Sequence, residues 1–164
     1  FQEIIKLKTA FPEKRRLTLQ EVRQVLAPSA DAEVFTLLDL LAEEKLEEAF
    51  TLLDDLLRRG ETVPRLIASV ARQVRQMLQL RALEQRGMRV DAATKALELH
   101  PYAAQRLVEK AVAYSNADLI TLLRDCCDKD SRLKSGRLGM TSAIDILLLQ
   151  MYRLRSQSRR RRSG

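Results

Sequence analysis

The feature that most constrains this chain is a set of apolar side chains recurring every three or four residues, interrupted by helix-ending signals. Between residues 32 and 42 the repeat is Val34, Leu37, Leu38 and Leu41. Between 45 and 59 it is Leu46, Ala49, Phe50, Leu53, Leu56 and Leu57, closed by Arg58, Arg59 and Gly60. Cations at the negative end of a helix dipole followed by Gly form a C-terminal signature. Thr62 and Pro64 open the next helix, whose stripe of Leu66, Ile67, Val70, Val74, Met77 and Leu78 runs on toward Arg86 and Gly87. A strand would turn successive residues to opposite faces, and no segment sustains that alternation. The expected fold class is therefore all-α, a helical bundle.

Shorter helices are expected at about 91–98 and 101–113, then one that Asn116 and Asp118 start, then a last one at about 141–155. This last helix is apolar nearly all round from Ile144 to Leu149. Such a profile belongs inside a bundle or between subunits, which makes Ile144, Leu147, Leu148 and Met151 candidates for a subunit interface. The stretch DKDSRLKSGRLG lies just before it. Lys134, Ser135 and Gly136 stand in the reverse of the phosphate-loop order, with no preceding strand and no Gly-x-x-x-x-Gly-Lys. Asp130, Lys134, Ser135 and Gly136 are instead expected to form a structural turn, with Gly136 left-handed at the helix end and Lys134 favoured by the dipole.

At the N-terminus, Ile4, Ile5, Leu7 and Phe11 share one helical face before Pro12 and a basic cluster intervene. Thr18 and Glu21 have capping-box spacing, and Pro28 with Ser29 closes the short helix they open. The chain divides accordingly into a helical fragment of a second domain at 1–30, a bundle at 31–155 and a disordered Arg-rich tail at 156–164. It begins with Phe1, as expected for part of a longer protein.

Charge is distributed unevenly. Residues 31–61 hold ten acids against three bases, and residues 72–89 hold five Arg against one Glu. From Arg153 onward there are six Arg and no acid, which accounts for nearly all of the net +7. The bundle itself is thus not committed to nucleic acid, and Arg159, Arg160, Arg161 and Arg162 are the candidates for non-specific DNA contact.

Catalytic constellations are not legible. His100 is the single histidine and precedes Pro101 at an expected helix start, a place for capping or solvent. Cys126 and Cys127 are adjacent, poor geometry for a disulfide and no metal spacing, and read as reduced thiols. The carboxylates of residues 43–55 lack the Glu-x-x-His repeat of a di-metal site. No cofactor, metal, membrane span or enzymatic activity is expected. Residues 90–110 have a helix-turn-helix look, but the second helix begins Pro101, Tyr102, Ala103, Ala104, where a DNA reader presents polar groups.

Five segments, taken in order, carry a resemblance. FQEIIKLKTAF resembles a Glu-x-x-Lys-Leu helix, and LTLQEV an Ile-Thr-Leu-Glu-Asp-Val segment. VFTLLDLLAEEKLEEAFTLLDDLLRRGE resembles Val-Phe-Asp-Leu-Val-Asp-Ala-Leu followed by a helix ending in Gly-Glu. ELHPYAAQRLVEKA resembles Leu-Gly-x-His-Pro-Tyr, with Glu98 where that pattern has Gly. Asp130, Leu133, Lys134, Ser135 and Gly136 resemble an Asp-x-x-Ile-Lys-Ser-Gly turn. All five are features of the C-terminal part of the delta subunit of bacterial DNA polymerase III, a clamp-loader component.

That resemblance implies that residues 1–30 end a lid-like middle domain and that 31–155 form a helical collar. The collar would join gamma or tau and delta-prime in a five-membered ring in the bacterial cytoplasm. It would meet the sliding clamp only through an N-terminal domain outside this chain, and DNA only indirectly. Two rivals stand beside it: a helical nucleic-acid-binding regulator using residues 90–110 and the Arg tail, and the collar of the gamma or tau subunit.

Overall fold

The computed structural model describes residues 30–163, with side chains from 31 to 160. The expected elements at 1–29, including the Thr18–Glu21 capping box, lie outside the described residues. Within them stand seven helices: α1 (Ala30–Ala42), α2 (Leu46–Arg58), α3 (Val63–Gln85), α4 (Val90–Ala96), α5 (Pro101–Val112), α6 (Asn116–Lys134) and α7 (Met140–Ser163). The described residues contain no strand, so the all-α bundle read from the periodicity is what forms.

Local chemistry explains where the helices start. Pro64 and Pro101 occupy the first turns of α3 and α5, where a missing amide hydrogen goes unnoticed. His100 caps α5, its Nδ1 accepting the Tyr102 N–H at 3.3 Å. At α6 the cap is Ser115, one residue earlier than Asn116: Ser115 Oγ accepts the Asp118 N–H at 3.1 Å, and Asp118 Oδ2 accepts the Ser115 N–H at 2.9 Å.

The long helix α3 is the hub. α1, α4, α5, α6 and α7 all pack on it, α6 most extensively, while α2 covers α1. Leu66, Ile67, Val70, Val74 and Met77 of the expected α3 stripe are buried, as are Val34, Leu37, Leu38 and Leu41 of α1. Asp145 has its carboxyl raised by burial and then by Asp54, and Tyr152 shares a cleft with Glu44, Glu47 and Glu48. No described helix is long and apolar enough to cross a membrane.

The adjacent cysteines part company on α6, because neighbouring residues on a helix face different directions. Cys126 is buried and Cys127 exposed, and both are free thiols. Burial pushes the Cys126 thiol up to about 12, and burial also raises the phenol of Tyr114 above its usual range. Folded protein therefore keeps a proton at Cys126 that unfolded protein loses above its ordinary pKa of 9.0. Stability is expected to fall between pH 9 and 12 by about 1.4 kcal/mol per pH unit from this thiol. Urea titrations across that range measure the slope. At neutral pH a thiol reagent should modify Cys127 rapidly and Cys126 only on unfolding.

Candidate functional site

The α6–α7 turn brings Asp130, Lys134, Ser135 and Gly136 together. Lys134 Nζ donates to Asp130 Oδ2 at 2.6 Å and Ser135 Oγ to the Arg132 carbonyl at 3.2 Å. Gly136 has φ +67°. Its N–H donates to Leu133 O at 3.0 Å and the Arg137 N–H to Arg132 O at 2.9 Å, the two bonds of a Schellman C-cap. The polar groups of the turn are engaged in closing a helix, the geometry of a C-cap.

A second turn repeats the motif with the wrong residue. After α4, the Glu98 N–H donates to Lys95 O at 3.1 Å and the Leu99 N–H to Thr94 O at 3.0 Å, and Glu98 sits at φ +52°. A Cβ in this region costs about 1–2 kcal/mol. Glu98→Gly is therefore expected to stabilise by about 0.5–1 kcal/mol after the extra backbone entropy of Gly. Gly136→Val is expected to destabilise by about 1–2 kcal/mol through backbone strain alone, since a Cβ there meets nothing within 4 Å. Paired thermal melts of the two variants check both signs.

Along α7 the structure corrects two expectations. Ile144, Leu147, Leu148 and Met151, read as a subunit interface, are buried within the bundle. The reason is that α7 packs against α1, α3 and α6 together, so three neighbours use a face that a single contact could not. What α7 leaves exposed is Ile146 at 48% and Leu149 at 43%.

The second correction concerns residues 156–164, expected to be disordered. α7 continues to Ser163, held by polar groups. Arg155 Nε donates to the Ala42 carbonyl at 2.8 Å and Nη1 to the Ala113 carbonyl at 3.5 Å, so one guanidinium closes the C-terminal ends of α1 and α5. Buried Ser158 donates to Asp118 Oδ2 at 2.6 Å, and Arg159 pairs with Glu44 at 3.0 Å. Arg160 is exposed, and the side chains of Arg161 and Arg162 lie outside the described ones. Sequence reasoning missed Arg155, Ser158 and Asp118 as partners. One signal was available: no Gly or Pro follows Gly139 before residue 164, and Arg, Gln and Leu are good helix formers.

The α4–α5 segment, the candidate DNA reader, is committed elsewhere. Arg106 pairs with Asp39 of α1, and Lys110 Nζ lies 2.8 Å from the same carboxylate and 4.4 Å from the Phe35 ring centre. Burial, reinforced by Arg106 and opposed by Glu109, pushes the Lys110 ammonium below the usual lysine range. On the outer face Gln105 is bonded to Glu109 at 3.2 Å. A helix whose two cations, Arg106 and Lys110, are tied to Asp39 offers a DNA groove little. Beside it runs an open groove of about 720 Å³, lined by Val90, Thr94, Lys95, Leu99, Pro101 and Val108 among others. This groove and the exposed Ile146 and Leu149 leave apolar surface open to solvent.

The model of the DNA polymerase III delta subunit, C-terminal domain, matches residues 31–151. The chain is 25% identical over 153 residues to DNA polymerase III subunit delta of Bacillus subtilis (strain 168), covering 93% of this chain and 44% of that protein. Among solved structures it is similar to the Bacillus subtilis DNA clamp loader delta protein (YqeN), with a TM-score of 0.80 at 25% identity over 93% of this chain and 45% of that one. It thus spans less than half the length of these relatives. With the family model covering nearly the whole bundle, the chain belongs to the family of C-terminal domains of the DNA polymerase III delta subunit.

Proposed function

We propose that this chain is the non-catalytic scaffold part of a clamp-loader delta subunit. In this reading, residues 31–155 form a collar that joins delta to gamma or tau and delta-prime, and residues 1–30 end the lid-like middle domain. The sliding clamp is reached through an N-terminal domain outside this chain, in the bacterial cytoplasm. The observation that carries the reading is the match of the fold, over 93% of the chain, to a clamp loader delta protein. Two kinds of exposed surface support it: the α4–α5 groove and the Ile146–Leu149 face of α7. Both present apolar side chains to solvent, as interaction sites do.

The test is reconstitution with purified gamma or tau and delta-prime, followed by hydrogen exchange. Formation of a complex that protects α2, α4, α5 or α7 is expected. A folded chain that binds neither partner sinks the reading. Arg159 to Arg162 are proposed as at most a weak DNA contact, lost steeply with salt as counterions are released. Tight, salt-resistant DNA binding by protein lacking residues 156–164 would instead favour the nucleic-acid regulator, against the inward-tied α5.

A further inference from the structure

Two outward faces of the bundle are complementary to each other. The first is the open groove of about 720 Å³ between α4 and α5. Val90 and Thr94 line its α4 wall, Pro101 and Val108 its α5 wall, and Leu99 lies in the connection between the helices. Thr94 Oγ1 donates to the Val90 carbonyl at 2.7 Å, so its polar atom is engaged within α4. On the α4 rim Asp91 pairs with Arg89 at 3.3 Å and Lys95 stands one turn further on. On the α5 rim Glu109 is bonded at 3.2 Å to the neutral amide of Gln105, which leaves this carboxylate able to take a cation. The second face is the outer side of α7. Ile146, Leu149 and Arg153 are exposed and follow one another at intervals of three and four residues, so they stand in one row along the helix.

We propose that the α4–α5 groove receives the Ile146, Leu149 and Arg153 row of α7 from a second copy of this chain, with Arg153 set against Glu109. The lengths match: Ile146 to Arg153 and Pro101 to Val108 each span about 10 Å along their helices. The chemistry matches as well, two aliphatic side chains against aliphatic walls and a cation against a carboxylate. A small-molecule site encloses about 70–90% of its ligand, whereas an open groove between two helices suits the apolar face of a third. One copy cannot make the contact with itself, because α7 turns Ile144, Leu147, Leu148 and Met151 into the bundle and this row away from it. Groove and row are different patches, so the contact is heterologous and each added copy leaves one groove and one row open. So short a contact belongs to the weak class, below about 1,200 Å², and the chain is monomeric when dilute. No other protein takes part, so the contact stands apart from the assembly proposed above.

The test is sedimentation of the full 164-residue chain from dilute to concentrated solution. The mean mass is expected to rise from one copy past two without a plateau. Leu149→Asp blocks the row and Val90→Asp the groove. Each is expected to raise the concentration needed for association by about tenfold or more, with an unchanged melting temperature because both side chains are exposed. Their equimolar mixture joins the intact groove of one variant to the intact row of the other and is expected to stop at two copies. Glu109→Arg and Arg153→Glu are each expected to weaken association, and the two together to restore it. Association that survives Leu149→Asp and Val90→Asp overturns the proposal, and so does a plateau at two copies in the unaltered chain, which marks a symmetric contact. A mass of one copy throughout overturns it as well. If the groove then gains hydrogen-exchange protection only when gamma or tau or delta-prime is added, the occupant is that partner.

Discussion

Leu147→Ala is expected to destabilise the bundle by about 2–5 kcal/mol, the cost of lost burial plus the cavity left behind. Leu147 has no exposed surface and lies where α7 meets α1, α3 and α6. Domains of this size are stable by only about 5–15 kcal/mol in total, so this one truncation removes a large share. Leu149→Ala, two residues further on, is the internal control: its side chain is 43% exposed, and a change below about 1 kcal/mol is expected. Urea unfolding of both variants measures the contrast. A neutral Leu147→Ala that weakened assembly would place Leu147 at a surface between proteins and contradict its packing inside the bundle.

Deleting residues 156–164 is expected to lower the melting temperature by about 5–10 °C, from a loss of about 2–3 kcal/mol. Most of that comes from one hydrogen bond. Asp118 is 7% exposed and accepts from the Ser115 N–H, Ser115 Oγ and Ser158 Oγ at 2.9, 2.7 and 2.6 Å. Removing Ser158 withdraws one donor from a buried carboxylate, and a hydrogen bond to a charged group is worth about 1.5–3 kcal/mol. The Arg159–Glu44 pair adds little, because the arginine is solvent-exposed. Ser158→Ala should reproduce most of the deletion's effect and Arg159→Ala little of it. Calorimetry on the three proteins decides. An unchanged melting temperature for the deletion would mean the end of α7 contributes nothing to the fold.

Legibility followed the range of the interactions. The stripes of α1, α2 and α3 and the Gly136 turn could be read because their causes lie within a few residues. Apolar spacing of three or four, Pro in a first turn and Gly at a left-handed position are all local. The end of α7 could not be read the same way. Ser158 and Asp118 lie 40 residues apart, and Arg155 reaches a carbonyl 113 residues away. A run rich in Arg and Ser looks disordered until those partners exist. Glu98 is a middle case. The Gly expected in that place marks a left-handed turn, and the turn forms with a glutamate in it because α4 and α5 are anchored on α3 regardless.

By itself the sequence determined that this protein is a helical bundle, where its helices begin, how the α6–α7 turn closes, and which family it resembles. Each of these depends on spacing, capping and turn chemistry that a chain carries before it folds. Only the tertiary structure decided which apolar residues are core and which are surface. An all-round apolar helix such as α7 does not say whether its neighbours belong to the same chain, and here α1, α3 and α6 supply them. It also decided that Arg106 and Lys110 face Asp39 rather than a ligand, and that the last turns of α7 are held. Burial and charge pairing are properties of assembled surfaces, set by contacts between distant residues, and no local pattern encodes them.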